Sequence, residues 1–162
     1  MKDNISTERL EKLHPKVKSS FKSFIEESEK TFNTTFRIVQ GLRTIQEQDA
    51  LYNQPWDGKD NDGDGKIDEA DEKVTNAKGG SSYHNYGLAI DIVEILNGKA
   101  NWNFEYKNLK LIAVKYGLDW GGDFKSIVDK PHFQKTLGYS ISSLRDKYSK
   151  KDFIKGTQYL NL

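Results

Sequence analysis

The chain has three histidines and no cysteine, and two of the three histidines keep unusual company. His84 lies in Ser82-Tyr83-His84-Asn85-Tyr86-Gly87-Leu88-Ala89-Ile90-Asp91, and Asp91 interrupts the apolar run from Leu88 to Val93. A carboxylate in such a run needs a cation or a shell of hydrogen bonds, because burying it unpaired is costly. His132 follows Asp129-Lys130-Pro131, so a second carboxylate stands three residues before a second histidine. His84, Asp91 and His132 would make a three-ligand zinc site whose fourth position is left to water. Asp129 is then free to act as general base on that water. The alternative is a pair of hydrogen-bonded histidines beside a salt-bridged Asp91, and spacing alone leaves both open. His14 precedes a proline in the N-terminal region and is expected at the surface.

A second group of ligand-type residues lies in 57–72, a stretch with eight acids and two bases. From Asp60 to Asp71 it fits a twelve-residue EF-hand loop. Asp60, Asp62 and Asp64 take positions 1, 3 and 5, Gly65 the sharp turn at 6, and Lys66 offers its carbonyl at 7. Asp68 is at 9 and Asp71 at 12, where glutamate usually gives two oxygens. The expectation is calcium, against the alternative of a solvated acidic loop.

These residues need elements to hold them. Thr7 is expected to cap a first short helix, and Pro15 to open a second through about Lys30, with Val17, Phe21, Phe24 and Ile25 on one face. Thr35–Gln40 alternates and is β-branched, which predicts a strand. Thr44-Ile45-Gln46-Glu47 is a capping box, predicting a helix from Ile45 to about Asn53. Gly87–Ile95 reads as a strand with Asp91 on the face opposite Leu88, Ile90 and Ile92. Phe104–Tyr116 reads as a helix ended by Gly117. Short strands are expected at Leu118–Trp120 and His132–Gln134, and a last helix at Ile141–Ser149 capped by Ser140. Helices with non-repeating strands imply an α+β fold with a small antiparallel sheet.

At 162 residues the chain suits one domain. The reading is a single unit over 1–162, with 57–73 as an inserted loop and 138–162 as a helical extension. The absence of cysteine excludes disulfides, thiol nucleophiles and cysteine-based zinc sites. Aromatic residues make up 12%, too many for a disordered chain. No apolar run approaches a membrane span. The N-terminus shows no apolar core of a secretory signal. Outside 57–72 the chain carries an excess of basic residues, but no basic run or basic–aromatic motif points to nucleic acid.

SYHNYGLAID together with DKPHF resembles the zinc peptidoglycan peptidases of the D-alanyl-D-alanine carboxypeptidase and L-alanyl-D-glutamate endopeptidase family. Ser82, His84, Gly87, Ala89, Asp91, Asp129 and His132 match its fixed positions. Gly41-Leu42-Arg43-Thr44, Gln48, Leu51-Tyr52, Val74–Gly80 and Trp120-Gly121-Gly122-Asp123 extend the similarity over roughly 8–137. The resemblance implies a hedgehog-like fold, zinc on His84, Asp91 and His132, and Asp129 as the acid–base group. It assigns Arg43 to the substrate carbonyl oxygen, and Ser82 and Trp120 to substrate contact. It also implies a hydrolase acting on peptidoglycan stem peptides, with the L-alanyl-D-glutamate bond preferred. A D,D-carboxypeptidase on the same site is the alternative, and a silent wall-binding module a third. The combination looks most like the endopeptidase branch, which includes phage endolysins. The expected setting is the cell wall, reached through a holin or after loss of a leader, and the expected state is a monomer. Pro55-Trp56 stands where the family has a glycine and an arginine.

Overall fold

The computed structural model describes residues 1–125 and 128–162. Helices α1 (Asn4–Glu11) and α2 (Pro15–Phe32) precede strand β1 (Thr35–Gln40) and helix α3 (Ile45–Asn53). Strands β2 (Ala89–Leu96) and β3 (Lys99–Asn101), helix α4 (Lys110–Lys115), strands β4 (Asp119–Trp120) and β5 (His132–Gln134), and helix α5 (Ile141–Ser149) complete the order. The sheet runs β1-β2-β5-β4, with β3 paired to the end of β2, and every pairing is antiparallel. This is the α+β architecture expected from the sequence.

Local signals account for most of these boundaries. Pro15 occupies the first turn of α2, where its missing N–H costs nothing. The α2 stripe of Val17, Phe21, Phe24 and Ile25 is fully buried. It packs on the sheet through Phe24, whose ring lies 4.7 Å from that of Phe133. Full burial of such side chains stabilises by about 1.5–3 kcal/mol each. The Thr44 box forms as read: the Thr44 side chain accepts the Glu47 N–H, and the Glu47 carboxylate accepts the Thr44 N–H.

Four readings are corrected. Asp3, not Thr7, caps α1, because its carboxylate reaches the Ser6 N–H and is also held by Arg37. The helix expected from Phe104 begins later, as a 3₁₀ turn at Tyr106–Leu109 running into α4. Strand β2 starts at Ala89, because Gly87 is in the left-handed region, where φ is 66°. A Cβ on Gly87 would also meet the His14 nitrogen at 2.8 Å. Finally, His14 is not at the surface but fully buried. Its Nδ1 accepts the Lys16 N–H, and its Nε2–H donates to the Leu160 carbonyl at 2.9 Å. The C-terminal tail covers it, with Leu160 and Leu162 seated in the core.

Between β1 and β2 the register slips, so that Ile38 faces Ile92 while Gln40 faces Asp91. Such a bulge bends the strand and re-aims side chains. Here it turns Val39 and Gln40 into the wall of a cleft that contains Asp91.

Candidate metal centre and active-site cleft

Antiparallel pairing sets Asp91 of β2 directly opposite His132 of β5. The third group arrives from a 3₁₀ turn, Tyr83–Tyr86, whose N-cap Ser82 accepts the His84 N–H and whose end is Gly87. His84 Nε2 then lies 3.2 Å from His132 Nδ1 and 3.3 Å from Asp91 Oδ1. His132 Nδ1 lies 3.0 Å from the same oxygen. Two nitrogens and one oxygen around a tetrahedral ion at 2.0–2.1 Å would be separated by about 3.3 Å. The donor set and its spacing therefore fit zinc.

The outer nitrogen of each ring is occupied. His84 Nδ1 is 2.8 Å from the Gly41 carbonyl, and His132 Nε2 is 3.0 Å from Gln134 Oε1. Each outer N–H is thereby given to a neutral acceptor, and with a metal bound each inner nitrogen would turn its lone pair toward it, as metal-binding histidines do.

The electrostatics follow from burial and charge. Burial alone would raise the Asp91 carboxyl, but the His84 charge and hydrogen bonds from both imidazoles outweigh it and hold it well below the ordinary range. His132 is raised: burial opposes its charge, but Asp91 and Gln134 outweigh that. Asp129 moves the other way from Asp91, pushed up first by burial and then by the Asp91 charge. Its carboxylate is 4.0 Å from His132 Nδ1.

Arg43 sits in the turn between β1 and α3. Its backbone N–H donates to the His84 carbonyl at 3.1 Å, and Asn85 holds its carbonyl. Its Nη1 donates to Gln48 Oε1 at 2.9 Å, while its buried Nε–H has no partner among the described residues. Gln48, fully buried, passes two further bonds to Thr75 and Ala77. The arginine is thereby tied both to the His84 turn and to the far wall of the cleft.

That cleft has a volume of about 960 Å³ and is lined by Arg43, Ser82, His84, Asp91, Asp129 and His132 among others. Phe124, Gln134 and the 73–77 segment also line it, and sequence reasoning named none of these as site residues. A gap in the motif spacing gave no hint of Phe124, whose ring centre is 5.6 Å from that of His132.

Trp120 lines a neighbouring hollow with Lys110 and Phe124, the last of which also lines the cleft. Its indole N–H is spent on the Lys130 carbonyl at 2.8 Å, and its ring fills the space a Gly122 side chain would need. Trp120 braces the loop that carries Asp129. Gly121 serves the same loop, since a Cβ there would collide with the Asp129 carbonyl and meet the His132 Cβ at 2.9 Å.

In the acidic loop, Asp60 and Asp62 converge as expected, but their third partner is Glu72, within 4.8 Å. Asp64, Asp68 and Asp71 lie outside that group. The 3₁₀ turn Ala70–Glu72 leaves Asp71 exposed and buries Glu72, which accepts the Asn61 and Glu69 N–H groups. Asp60 is held below the usual carboxylate range by N–H groups of Gly65 and Gly63. The Lys66 ammonium pairs with Asp64 at 3.0 Å, and Asp68 Oδ1 accepts the Gly58 N–H.

A small antiparallel sheet thus brings two imidazoles and a carboxylate together at the rim of an open cleft. Residues 75–135 match the family described as D-alanyl-D-alanine carboxypeptidase. The peptidoglycan L-alanyl-D-glutamate endopeptidase CwlK of Bacillus subtilis (strain 168) is 40% identical over 108 residues, covering 60% of this chain and 58% of that protein. The chain thus spans less than two thirds of the length of this curated relative. Over these stretches the chain is similar to D-alanyl-D-alanine carboxypeptidases and to an L-alanyl-D-glutamate endopeptidase. The fold agrees. The Serratia marcescens L-Ala D-Glu endopeptidase ChiX superposes with a TM-score of 0.57 at 22% identity, covering 83% of this chain and 88% of that one. A vancomycin-resistance D,D-pentapeptidase, VanY, solved with Zn(II), gives 0.56 at 17% identity over 85% and 78%.

Proposed function

We propose that the chain is a zinc-dependent peptidase that hydrolyses peptidoglycan stem peptides at the L-alanyl-D-glutamate bond. The observation that carries this is the convergence of His84 Nε2, Asp91 Oδ1 and His132 Nδ1 beside Asp129 in one open cleft. When bound, zinc supplies Lewis acidity and lowers the pKa of water toward neutrality. The rest falls to the chain's own residues. The water oxygen attacks the scissile carbonyl carbon and its proton passes to Asp129. The raised affinity of Asp129 for protons, from burial and the Asp91 charge, suits a group that must take and return a proton. Arg43 faces the carbonyl oxygen as negative charge develops there, and its fixed guanidinium needs no reorganisation. The C–N bond then breaks as Asp129 returns the proton to the leaving amine. Ser82 holds the His84 turn through its cap and lines the substrate cleft.

Trimming of a terminal D-alanine by the same groups is the second reading, favoured by the description of the matched family. The identity to an endopeptidase supports the first. Mass analysis of muropeptides before and after digestion separates them: new L-alanine C-termini support the endopeptidase, and free D-alanine supports the carboxypeptidase. A silent wall-binding module has no use for Asp129 and Arg43 placed around the ligand group. The setting that fits these substrates is the cell wall. Among the described residues no helix is long and apolar enough to cross a membrane.

The acidic loop is the remaining part of this reading. Calcium there is supported by the EF-hand spacing and by the convergence of Asp60, Asp62 and Glu72. One peptidase unit over 1–162, with 57–73 inserted and 138–162 appended, working as a monomer, completes the proposal.

A further inference from the structure

We propose that Gln134 is a positioning residue of the metal centre: it selects which nitrogen of His132 faces the other two ligands. The inference rests on the zinc reading above. The backbone leaves the ring orientation of His132 open, because the terminal torsion of a histidine is broad and roughly two-fold. A half-turn of the ring about that torsion would move Nδ1 away from His84 and Asp91. Something must hold the ring, and the hydrogen bond from His132 Nε2 to Gln134 Oε1, at 3.0 Å, does so.

The strand supplies the geometry. Side chains two residues apart on a β-strand share a face, so His132 and Gln134 stand side by side on β5. That strand is paired on both edges, with Gln134 opposite Ala89 on one side and Asp119 on the other. Gln134 is only 8% exposed, so its side chain has little room to turn away. With the Nε2 proton given to an amide oxygen, Nδ1 carries the lone pair and points to His84 and Asp91, 3.2 and 3.0 Å away.

An amide suits this position for a second reason. Asp91 and Asp129 already place two carboxylates at the site. A neutral acceptor fixes the tautomer without adding a third negative charge. The same solution recurs at His84, whose acceptor is the Gly41 carbonyl. That one belongs to the main chain and cannot be removed by substitution. Gln134 is the acceptor that a mutation can test.

The experiment uses the full chain as Gln134→Met, which keeps volume and removes the acceptor, and Gln134→Glu, which keeps an acceptor. Zinc affinity is read by competition with a chromophoric chelator, and cobalt-substituted protein is read by proton NMR. Losing an outer hydrogen bond to a ligand histidine costs roughly 10–100-fold in affinity. Gln134→Met is expected to bind zinc that much more weakly while melting like the parent when metal-free. It should also lose one of the two shifted, exchangeable imidazole N–H signals. Gln134→Glu should restore both the signal and the affinity. Parental affinity with both signals intact in Gln134→Met overturns the assignment. If Gln134→Met fails to fold, Gln134→Glu decides: a shifted His132 N–H signal supports the contact, and an unshifted one overturns it. A parent chain that takes up no zinc overturns the metal centre itself, and this proposal with it.

Discussion

Asp91 and Asp129 share one cleft, yet their surroundings drive their carboxyls in opposite directions. Asp91 lies within hydrogen-bonding distance of two imidazoles and stays ionised far below the usual range. Asp129 is half-exposed, touches only the outer edge of the same group, and is pushed up by burial and by Asp91 itself. Two titratable groups with divergent environments in one site are the usual mark of divided labour. The low one suits a permanent ligand, and the high one suits a group that must take and return a proton.

That division predicts the behaviour of Asp129→Asn. Zinc content should match the parent, while hydrolysis of stem peptides should fall by about 10²–10⁴, the usual weight of a positioned acid–base group. Elemental analysis and a turnover assay on the same preparation check both halves. Near-parental turnover refutes the role, and loss of zinc makes Asp129 a ligand instead.

Asp91→Asn should do the reverse. The amide keeps the shape but removes the charge that balances a divalent cation and holds the two imidazoles. Zinc should be lost from the purified protein, and with it the added thermal stability. A ligand bound only to the folded state contributes about 2.7 kcal/mol at a hundredfold excess over Kd. Parent protein should therefore melt several degrees lower after chelation, and Asp91→Asn should show no response to chelator. Asp91→Asn that keeps a full equivalent of zinc would remove Asp91 from the ligand set.

How far the sequence revealed all this depended on how local the signal was. The α2 stripe, the alternation of Thr35–Gln40 and the Thr44 box are set by neighbours within a few residues, and they appear in the structure where the sequence put them. His84, Asp91 and His132 were legible because two short motifs carried them. What failed was decided at a distance. His14 is buried by Leu160, 146 positions away, which no window around His14 contains. Gln134 and Phe124 join the site through sheet pairing and a loop path. Trp120, which the resemblance assigns to substrate contact, spends its indole N–H on the Lys130 carbonyl and lines a neighbouring hollow, a placement set by the path of its loop. Glu72 differs from the expected Asp71 by a single residue, and that phase is set by a 3₁₀ turn the composition does not announce.

The acidic loop gives a third prediction. If calcium occupies it, titration should raise the melting temperature of the zinc-loaded protein without changing zinc content, because hard oxygen donors and imidazoles favour different ions. Asp60→Ala with Asp62→Ala should abolish the gain. Glu72→Gln should weaken it more than Asp71→Asn does, since Glu72 is the acid that faces Asp60 and Asp62. The order of these last two discriminates the observed loop from a standard twelve-residue register. A melting temperature indifferent to calcium in the parent would leave a solvated acidic loop.

The last prediction concerns pH and fold stability through His14. This imidazole is buried, and its Nδ1 serves as an acceptor for the first turn of α2, so the fold requires it neutral. Burial, with Lys16 nearby, lowers its proton affinity below the ordinary value of 6.5 despite the Leu160 carbonyl. The sign of the effect follows. Below about 6.5 the unfolded chain binds a proton at this position that the folded chain does not. Stability from His14 is therefore fully present above that value and declines as pH falls toward the depressed folded value. His14→Asn keeps a side chain that can cap the helix but removes the titration. Urea midpoints for both proteins at a series of pH values between 8 and 5, under the same metal conditions, isolate the part that comes from His14. The parent should be the more stable at neutral pH, and its advantage should shrink as the solution is acidified. A gap between the two midpoints that stays constant across the series would mean that His14 is not held neutral by the fold.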